Sequence, residues 1–204
     1  MLYNEKQPAP FPPDRRRKAP LFKMLTLLLQ YLWNYTALIV LAVAAFYLSL
    51  ISTSLPPTAE ERAAIDRAIG VLERRGFVNE ARVLRSSVTF RSTDHWLNAV
   101  IEKENAYAAA NFPFQIITTY PDFFNKAVDD TERAAVLLHE SRHLFGEDEN
   151  AAYAYVWQNR ERLGWTLRTH GTTVSYITIE QQTREMAPEL FNCPERPWRD
   201  CTLR

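Results

Sequence analysis

The longest apolar run along the chain is Tyr31–Ile51, YLWNYTALIVLAVAAFYLSLI, inside a stretch from Met24 to Ala59 that has no charged residue. As a helix, a run of this length crosses a hydrocarbon core of about 30 Å. A cleaved signal peptide would have a shorter apolar core, ended by small residues. The pattern therefore predicts one transmembrane helix in segment 24–55, with its core at about 31–51.

The charges that flank this run predict its orientation. The basic residues before it are Lys6, Arg15, Arg16, Arg17, Lys18 and Lys23. Only two basic residues follow it closely, Arg62 and Arg67. Positive residues stay on the cytoplasmic side of a membrane. We therefore expect residues 1–23 to be a basic, proline-rich cytoplasmic tail and residues 56–204 to be an extracytoplasmic domain.

Within 56–204, apolar periodicity and turn residues predict an α+β domain. Helices are predicted at 58–76, 80–84, 130–145, 149–164 and 180–187, strands at Ser87–Arg91 and Phe114–Tyr120, helix or irregular structure at 94–110, and strand or loop at 172–179. Phe114–Tyr120 is the last strand before the helix at 130–145. It is the predicted edge strand along which an extended peptide would pair.

The main chemical signal is His139-Glu140-Ser141-Arg142-His143, an HExxH pattern in a chain with four histidines. On a helix, residues four apart share one face, so both imidazoles can bind one cation. Neutral imidazole suits Zn²⁺, which lowers the pKa of a bound water to about 7. Glu140 can then act as the general base.

The flanking residues favour a buried helix for this motif. Asp129 or Asp130 can cap its N-terminus, with Glu132 as a capping-box partner of Asp129, and Gly146 can end it. The run AAVLL before His139 is apolar on nearly every side, as expected of a helix at the centre of a domain.

A catalytic zinc generally needs a third protein ligand. Glu149 is preferred, because the chain can turn at Gly146 and the small residues behind Glu149 let a second helix approach the first. The alternatives are Glu147, Asp148 and Glu161, the last of which lies between two arginines.

Over Phe114–Gly164 the sequence resembles the zincin metallopeptidases, especially the gluzincins, whose third ligand is a Glu on a following helix. The resemblance implies a small sheet packed on the HExxH helix and a following Glu-bearing helix, preceded here by the transmembrane helix. It implies His139, His143 and Glu149 as ligands of one Zn²⁺ and Glu140 as the base. The spacing from His143 to Glu149 also resembles the metzincin pattern with Glu in place of the last His, and Met186 is a weak counterpart of a metzincin Met-turn.

Donors outside the motif would stabilise the transition state, and His170, Tyr176 and Tyr120 are the candidates. Two cysteines, Cys193 and Cys201, flank a proline-containing C-terminal loop. An extracytoplasmic location permits a disulfide between them, with two free thiols as the alternative.

A formal net charge of zero argues against a nucleic-acid partner, which needs concentrated positive charge. The preferred function is a membrane-anchored zinc metallopeptidase acting on a peptide or protein substrate. The alternatives are a non-catalytic binding or structural protein that keeps a zinc site, and an amidase acting on a cell-wall polymer. Glu140 favours catalysis, because a purely structural site has no use for a base there.

Overall fold

In the computed structural model of the chain, which describes residues 18–99, 106–193, 196–197 and 200–202, the first element is helix α1, Lys18–Ser52. Its segment Phe22–Ser52 is long and apolar enough to cross a membrane. This confirms the prediction of one apolar N-terminal helix. The helix begins before residue 24 and so includes part of the predicted tail, while residues 1–17 lie outside the described residues.

The chain divides into two compact units, Met1–Leu48 and Ser49–Arg204. The second unit is mostly helical, with a small sheet. After the end of α1 its elements are α2 (Ala59–Arg74), α3 (Val78–Ser86), β1 (Thr89–Arg91), β2 (Ala108–Asn111), β3 (Ile116–Thr119), α4 (Pro121–Asn125), α5 (Asp130–Leu144), α6 (Glu149–Leu163), α7 (Leu167–His170), α8 (Val174–Met186), a 3₁₀ turn (Pro188–Phe191), β4 (Asn192–Cys193) and β5 (Arg196–Pro197). An α+β class with one apolar N-terminal helix is therefore correct.

The three-stranded sheet has the order β1-β3-β2, with β3 parallel to β1 and antiparallel to β2. The prediction that the Phe114–Tyr120 strand forms the edge is wrong, because β3 is the central strand, buried along its whole length. The strand next to α5 is β2, in a region predicted as helical or irregular. Its sequence, AAAN, has low intrinsic strand preference, so its pairing with β3 decides its conformation.

Helix α5, which carries the HExxH motif, packs against α2, α6 and β2 at the centre of the second unit. The Asp129 cap is confirmed, since its side chain accepts hydrogen bonds from the backbone N–H groups of Thr131 and Glu132. The predicted capping-box role of Glu132 is wrong. Its carboxylate is fully buried and accepts bonds from the Val128 N–H and the Thr173 hydroxyl instead.

At the C-terminal end, the sequence predicts strand or loop for the β-branched stretch 172–179, but this stretch lies largely in α8. The Thr173 side chain caps this helix, and Tyr176 and Ile179 are buried on one face of it. Tertiary packing has overridden the strand preference of the isolated sequence.

Candidate metal centre

The HExxH helix ends where the sequence predicts, and its end brings the third acidic residue back to the motif. Helix α5 stops at Leu144, and Gly146 has a φ of 83°, which is the left-handed conformation that glycine tolerates best. Asp148 then caps α6 through the Ala151 N–H, 2.9 Å away, so that Glu149 is the first residue of α6. The turn spans only Phe145–Asp148, and it places Glu149 beside His139 and His143.

The side chains of His139, His143 and Glu149 form a tight triangle. The two Nε2 atoms are 3.1 Å apart, and the Glu149 carboxylate oxygens lie 3.2 Å from His139 Nε2 and 3.4 Å from His143 Nε2. For ligands 2.0–2.1 Å from a zinc ion, a tetrahedron has edges of about 3.3 Å. The three separations are close to that edge length, with Oε2 of Glu149 facing His139 and Oε1 facing His143, and imidazole and carboxylate are groups that can bind Zn²⁺. Among the described residues, this is the group of three side chains that could hold a metal.

The orientation of His143 is fixed by the turn. Its Nδ1 lies 2.9 Å from the Glu147 carbonyl oxygen, which can only accept, so Nδ1 carries the donated proton. In the neutral ring Nε2 then has the free lone pair, and it faces the triangle. A histidine that ligates a metal usually makes this kind of bond with its other nitrogen.

Hydrogen bonds within the triangle shift the pKa values of His143 and Glu149. The hydrogen bond to Glu149 is the main cause that raises the pKa of His143 to about 9, and burial partly opposes it. The hydrogen bonds from His139 and His143 hold the pKa of Glu149 well below its usual range. The site therefore keeps an ionised carboxylate against the imidazoles. A metal cation bound there would take the place of the proton on His143.

The other acidic candidates for the third ligand have different positions. Glu147 pairs with Arg142, and Asp148 is the cap of α6. Glu161 lies twelve residues beyond Glu149 on α6, roughly 18 Å along the helix axis at 1.5 Å per residue. Of the four, the structure brings Glu149 to the histidines.

Glu140 lies beside the triangle and is buried, with 6% of its surface exposed. Burial raises the pKa of its carboxyl group, while the charges of the two histidines and a hydrogen bond from the Ala110 backbone N–H favour the ionised form. The bond from Ala110 connects the motif to β2. Its carboxyl group is thus positioned to accept a proton from a water molecule beside the triangle.

A cleft of about 420 Å³ runs between β2 and the turn after α5. Its walls come from β2 and Phe112 on one side and from the motif and the turn on the other, namely Ala108, Ala109, Ala110, Glu140, His143, Gly146, Glu147 and Glu149. The small side chains of the alanines leave room along the strand side of the cleft. A peptide that lay along β2 would therefore pass beside both Glu140 and the triangle.

Two contributors to the site were missed from the sequence. The first is Arg142, whose guanidinium binds the Glu147 carboxylate through two hydrogen bonds, with its Nε 2.8 Å from Oε2. It also contacts buried Glu80 at 3.3 Å and stacks over Tyr155 at 4.0 Å. Arg142 therefore connects α3 and α6 to the turn whose carbonyl orients His143. Only the tertiary fold reveals it, because Glu80 is 62 residues away.

The second is Tyr153, whose ring packs on His139 with 4.4 Å between ring centroids. Burial, and then the charges of Glu149 and Glu140, raise the pKa of its hydroxyl. Tyr153 is four residues after Glu149 on α6, so the two side chains share one face of that helix. Helical spacing from Glu149 was the signal that could have identified it.

Of the three residues predicted as transition-state stabilisers, His170 and Tyr176 make their contacts away from the triangle, whereas Tyr120 lies near Glu140. His170 bonds to Asp129 at the N-terminal end of α5, ten residues before His139, with 3.1 Å between Nε2 and Oδ2. Tyr176 is buried against Trp157 and Trp165. The Tyr120 hydroxyl donates to Asp94 at 2.7 Å, although it is close enough to Glu140 for that charge to affect its pKa.

Cys201 is disulfide-bonded. The predicted pairing with Cys193 involves a side chain outside those the structure describes.

Comparison of the chain with protein-family models, with curated proteins and with solved structures gives no match in any of the three.

Proposed function

We propose that this protein is a zinc-dependent metallopeptidase of the zincin type, with the Glu third ligand of gluzincins. The observation that supports it most is the triangle of His139, His143 and Glu149 at tetrahedral spacing, next to buried Glu140. A site that served only to hold helices together would gain nothing from a buried carboxyl group beside the ligands.

A bound zinc ion would polarise the scissile carbonyl and make a water molecule acidic near neutral pH. The protein's own groups do the rest. Glu140 takes a proton from the attacking water and returns it to the leaving amine. Tyr153, whose ring packs against His139, would donate a hydrogen bond to the developing oxyanion.

A peptide is the substrate class that the cleft suits. As a sheet edge, β2 can pair with an extended chain through its backbone. Its Ala110 already contacts Glu140, so a paired peptide bond would lie beside the base. A cell-wall polymer linked by amide bonds is the alternative, and digestion of both substrates would separate the two.

We further propose that α1 anchors the protein in a membrane as a single pass, with the N-terminus cytoplasmic and the metal centre outside. The support is the apolar segment Phe22–Ser52 and the excess of basic residues before it. A reporter fused at Arg204 that is active only in the cytoplasm would contradict this orientation.

The function is tested with Glu140→Gln in the purified full-length protein, with Glu161→Gln as a matched control on the exposed face of α6. The amide preserves shape but cannot act as a base. We expect unchanged zinc binding and a loss of peptide-library hydrolysis of about 10²–10⁴-fold for Glu140→Gln, and no change for Glu161→Gln.

Zinc binding with equal turnover in wild type and Glu140→Gln would reject the peptidase and favour a binding protein that keeps a metal. Absence of zinc binding by the wild type would reject both.

A further inference from the structure

A short loop after β1, residues 92–97, is hydrogen-bonded to the last turn of α1. The Trp96 indole Nε1 donates to the Ser49 hydroxyl at 3.2 Å, and the Trp96 backbone N–H donates to the Thr53 hydroxyl at 3.3 Å. The backbone of Leu55 bonds on both sides, to the Thr93 hydroxyl at 2.8 Å and to the Ser92 N–H at 2.9 Å. The loop and the helix end therefore form one continuous structure.

The helix end is also part of the folded domain. Leu50 is fully buried and Ser54 is buried, within the same compact unit as the loop. The last helical turn and the loop belong to one compact unit, which contains both Ser49 and Trp96.

Large apolar side chains remain exposed at this point. Trp96, Leu97 and Leu55 expose 46%, 41% and 63% of their surfaces. Ser49, to which the indole bonds, lies three residues before Ser52, the end of the apolar segment, which is roughly 4.5 Å along the helix. The exposed side chains are thus close to where the apolar segment ends.

We propose that Trp96, Leu97 and Leu55 form an interfacial contact that lies in the headgroup layer of the bilayer crossed by α1. This inference rests on the proposed membrane anchor. Continuity with the end of the apolar segment identifies the occupant, because a surface beside the outer end of a spanning helix meets lipid headgroups. Tryptophan, with an apolar ring and a polar N–H, is enriched at this depth.

The opposite side of the loop reaches the strand that lines the cleft. His95 is fully buried, with its Nε2 3.0 Å from the Asn111 side-chain oxygen. Asn98 exchanges two hydrogen bonds with the same Asn111 side chain, at 3.0 and 2.9 Å. Since Asn111 ends β2, these hydrogen bonds join the loop to the strand that lines the cleft.

The test uses full-length protein in phosphatidylcholine vesicles whose acyl chains carry bromine, which quenches tryptophan fluorescence on contact. One lipid carries bromine near the ester end of the chain and another near the methyl end. Wild type is compared with Trp33→Phe, and Trp33→Phe with the double variant Trp33→Phe/Trp96→Phe. The first difference reports Trp33 in α1, and the second reports Trp96 with every other tryptophan unchanged.

We expect Trp96 to lose more emission with bromine near the ester end than near the methyl end, and to be shielded from aqueous iodide. Quenching of Trp33 by bromolipid together with full quenching of Trp96 by iodide and none by bromolipid would overturn the interfacial contact alone. If bromolipid quenched neither residue, the membrane anchor itself would be rejected, and the contact with it.

Discussion

The carboxyl group of Glu140 lies against β2, where the backbone N–H of Ala110 favours its ionised form. The proposed base is thus in contact with the strand along which a peptide would lie. Ala110 pairs with Ile117 of the central strand, so the position of the base depends on the register of the sheet. In the proposed peptidase, the same two elements, α5 and β2, would therefore position both the substrate and the base.

The choice of Glu149 as the third ligand predicts a large loss of zinc affinity in Glu149→Ala. Replacing a partner of a ligand already costs about 10–100-fold in affinity, and removing a ligand should cost more than about 100-fold. Affinity is measured by competition with a chromophoric chelator. Glu161→Ala is the control, because this residue lies on the same helix far from the triangle. Equal affinities of Glu149→Ala and wild type would refute the assignment.

The proposed role of Tyr153 predicts a loss of kcat without a loss of zinc affinity. Tyr153→Phe keeps the ring that packs on His139 but removes the hydroxyl, so zinc affinity and KM should stay near wild type. We expect kcat to fall by about 10²–10³-fold, as for loss of one oxyanion donor. Tyr176→Phe is the matched control and should leave kcat unchanged, since Tyr176 packs against two tryptophans. A loss of kcat in Tyr176→Phe but not in Tyr153→Phe would instead favour Tyr176, the candidate from the sequence, as the oxyanion donor.

The HExxH helix and the approach of Glu149 to its two histidines could be predicted because their signals are local. A cap at Asp129, an apolar run and the turn at Gly146 lie within 18 residues, and each acts on its nearest neighbours. The triangle then follows from helix geometry and one short turn.

The parts that sequence did not predict depend on contacts between distant segments. The alanines of β2 have low strand preference, and only pairing with β3 makes them a strand. Sequence order also suggested that the last strand is the edge, whereas the edge is decided by which strands pair. Arg142 and Glu80 show the same limit, since their contact joins residues far apart in the chain.

Asp129 predicts a pH-dependent contribution to stability. Burial opposes ionisation of its carboxyl group, but hydrogen bonds from the Glu132 and Thr131 N–H groups and from His170 outweigh it and lower its pKa. A lowered pKa in the folded state stabilises the fold above the pKa of the unfolded chain, and this stabilisation is lost as pH falls through the folded-state pKa.

We therefore expect Asp129→Ala to destabilise the protein by about 1 kcal/mol at pH 7, as for loss of a helix cap. Asp129→Asn keeps a capping oxygen without the charge, so its stability should lie between those of wild type and Asp129→Ala. Thermal unfolding in detergent measures both variants. The difference between wild type and Asp129→Asn should shrink as the pH is lowered below about 4, the ordinary pKa of aspartate. A difference that grew with acidity would contradict this role.

We expect Arg142 to affect zinc affinity although it is not itself a proposed ligand. Its fork binds both oxygens of Glu147, whose backbone carbonyl accepts from His143 Nδ1. Lysine keeps the positive charge but cannot make the two-point contact. We expect Arg142→Lys to leave the motif intact and to weaken zinc binding by about 10-fold, at the low end of the range for residues that orient a ligand.

Arg168→Lys, on the exposed surface of α7, is the matched control for the same chemical change. A general loss of stability in Arg142→Lys would lower the unfolding temperature with and without zinc by equal amounts. Loss of ligand orientation instead reduces the extra stabilisation that zinc gives, because that stabilisation depends on the dissociation constant. If zinc raised the unfolding temperature of Arg142→Lys as much as that of wild type, Arg142 would be a structural residue with no influence on the metal centre.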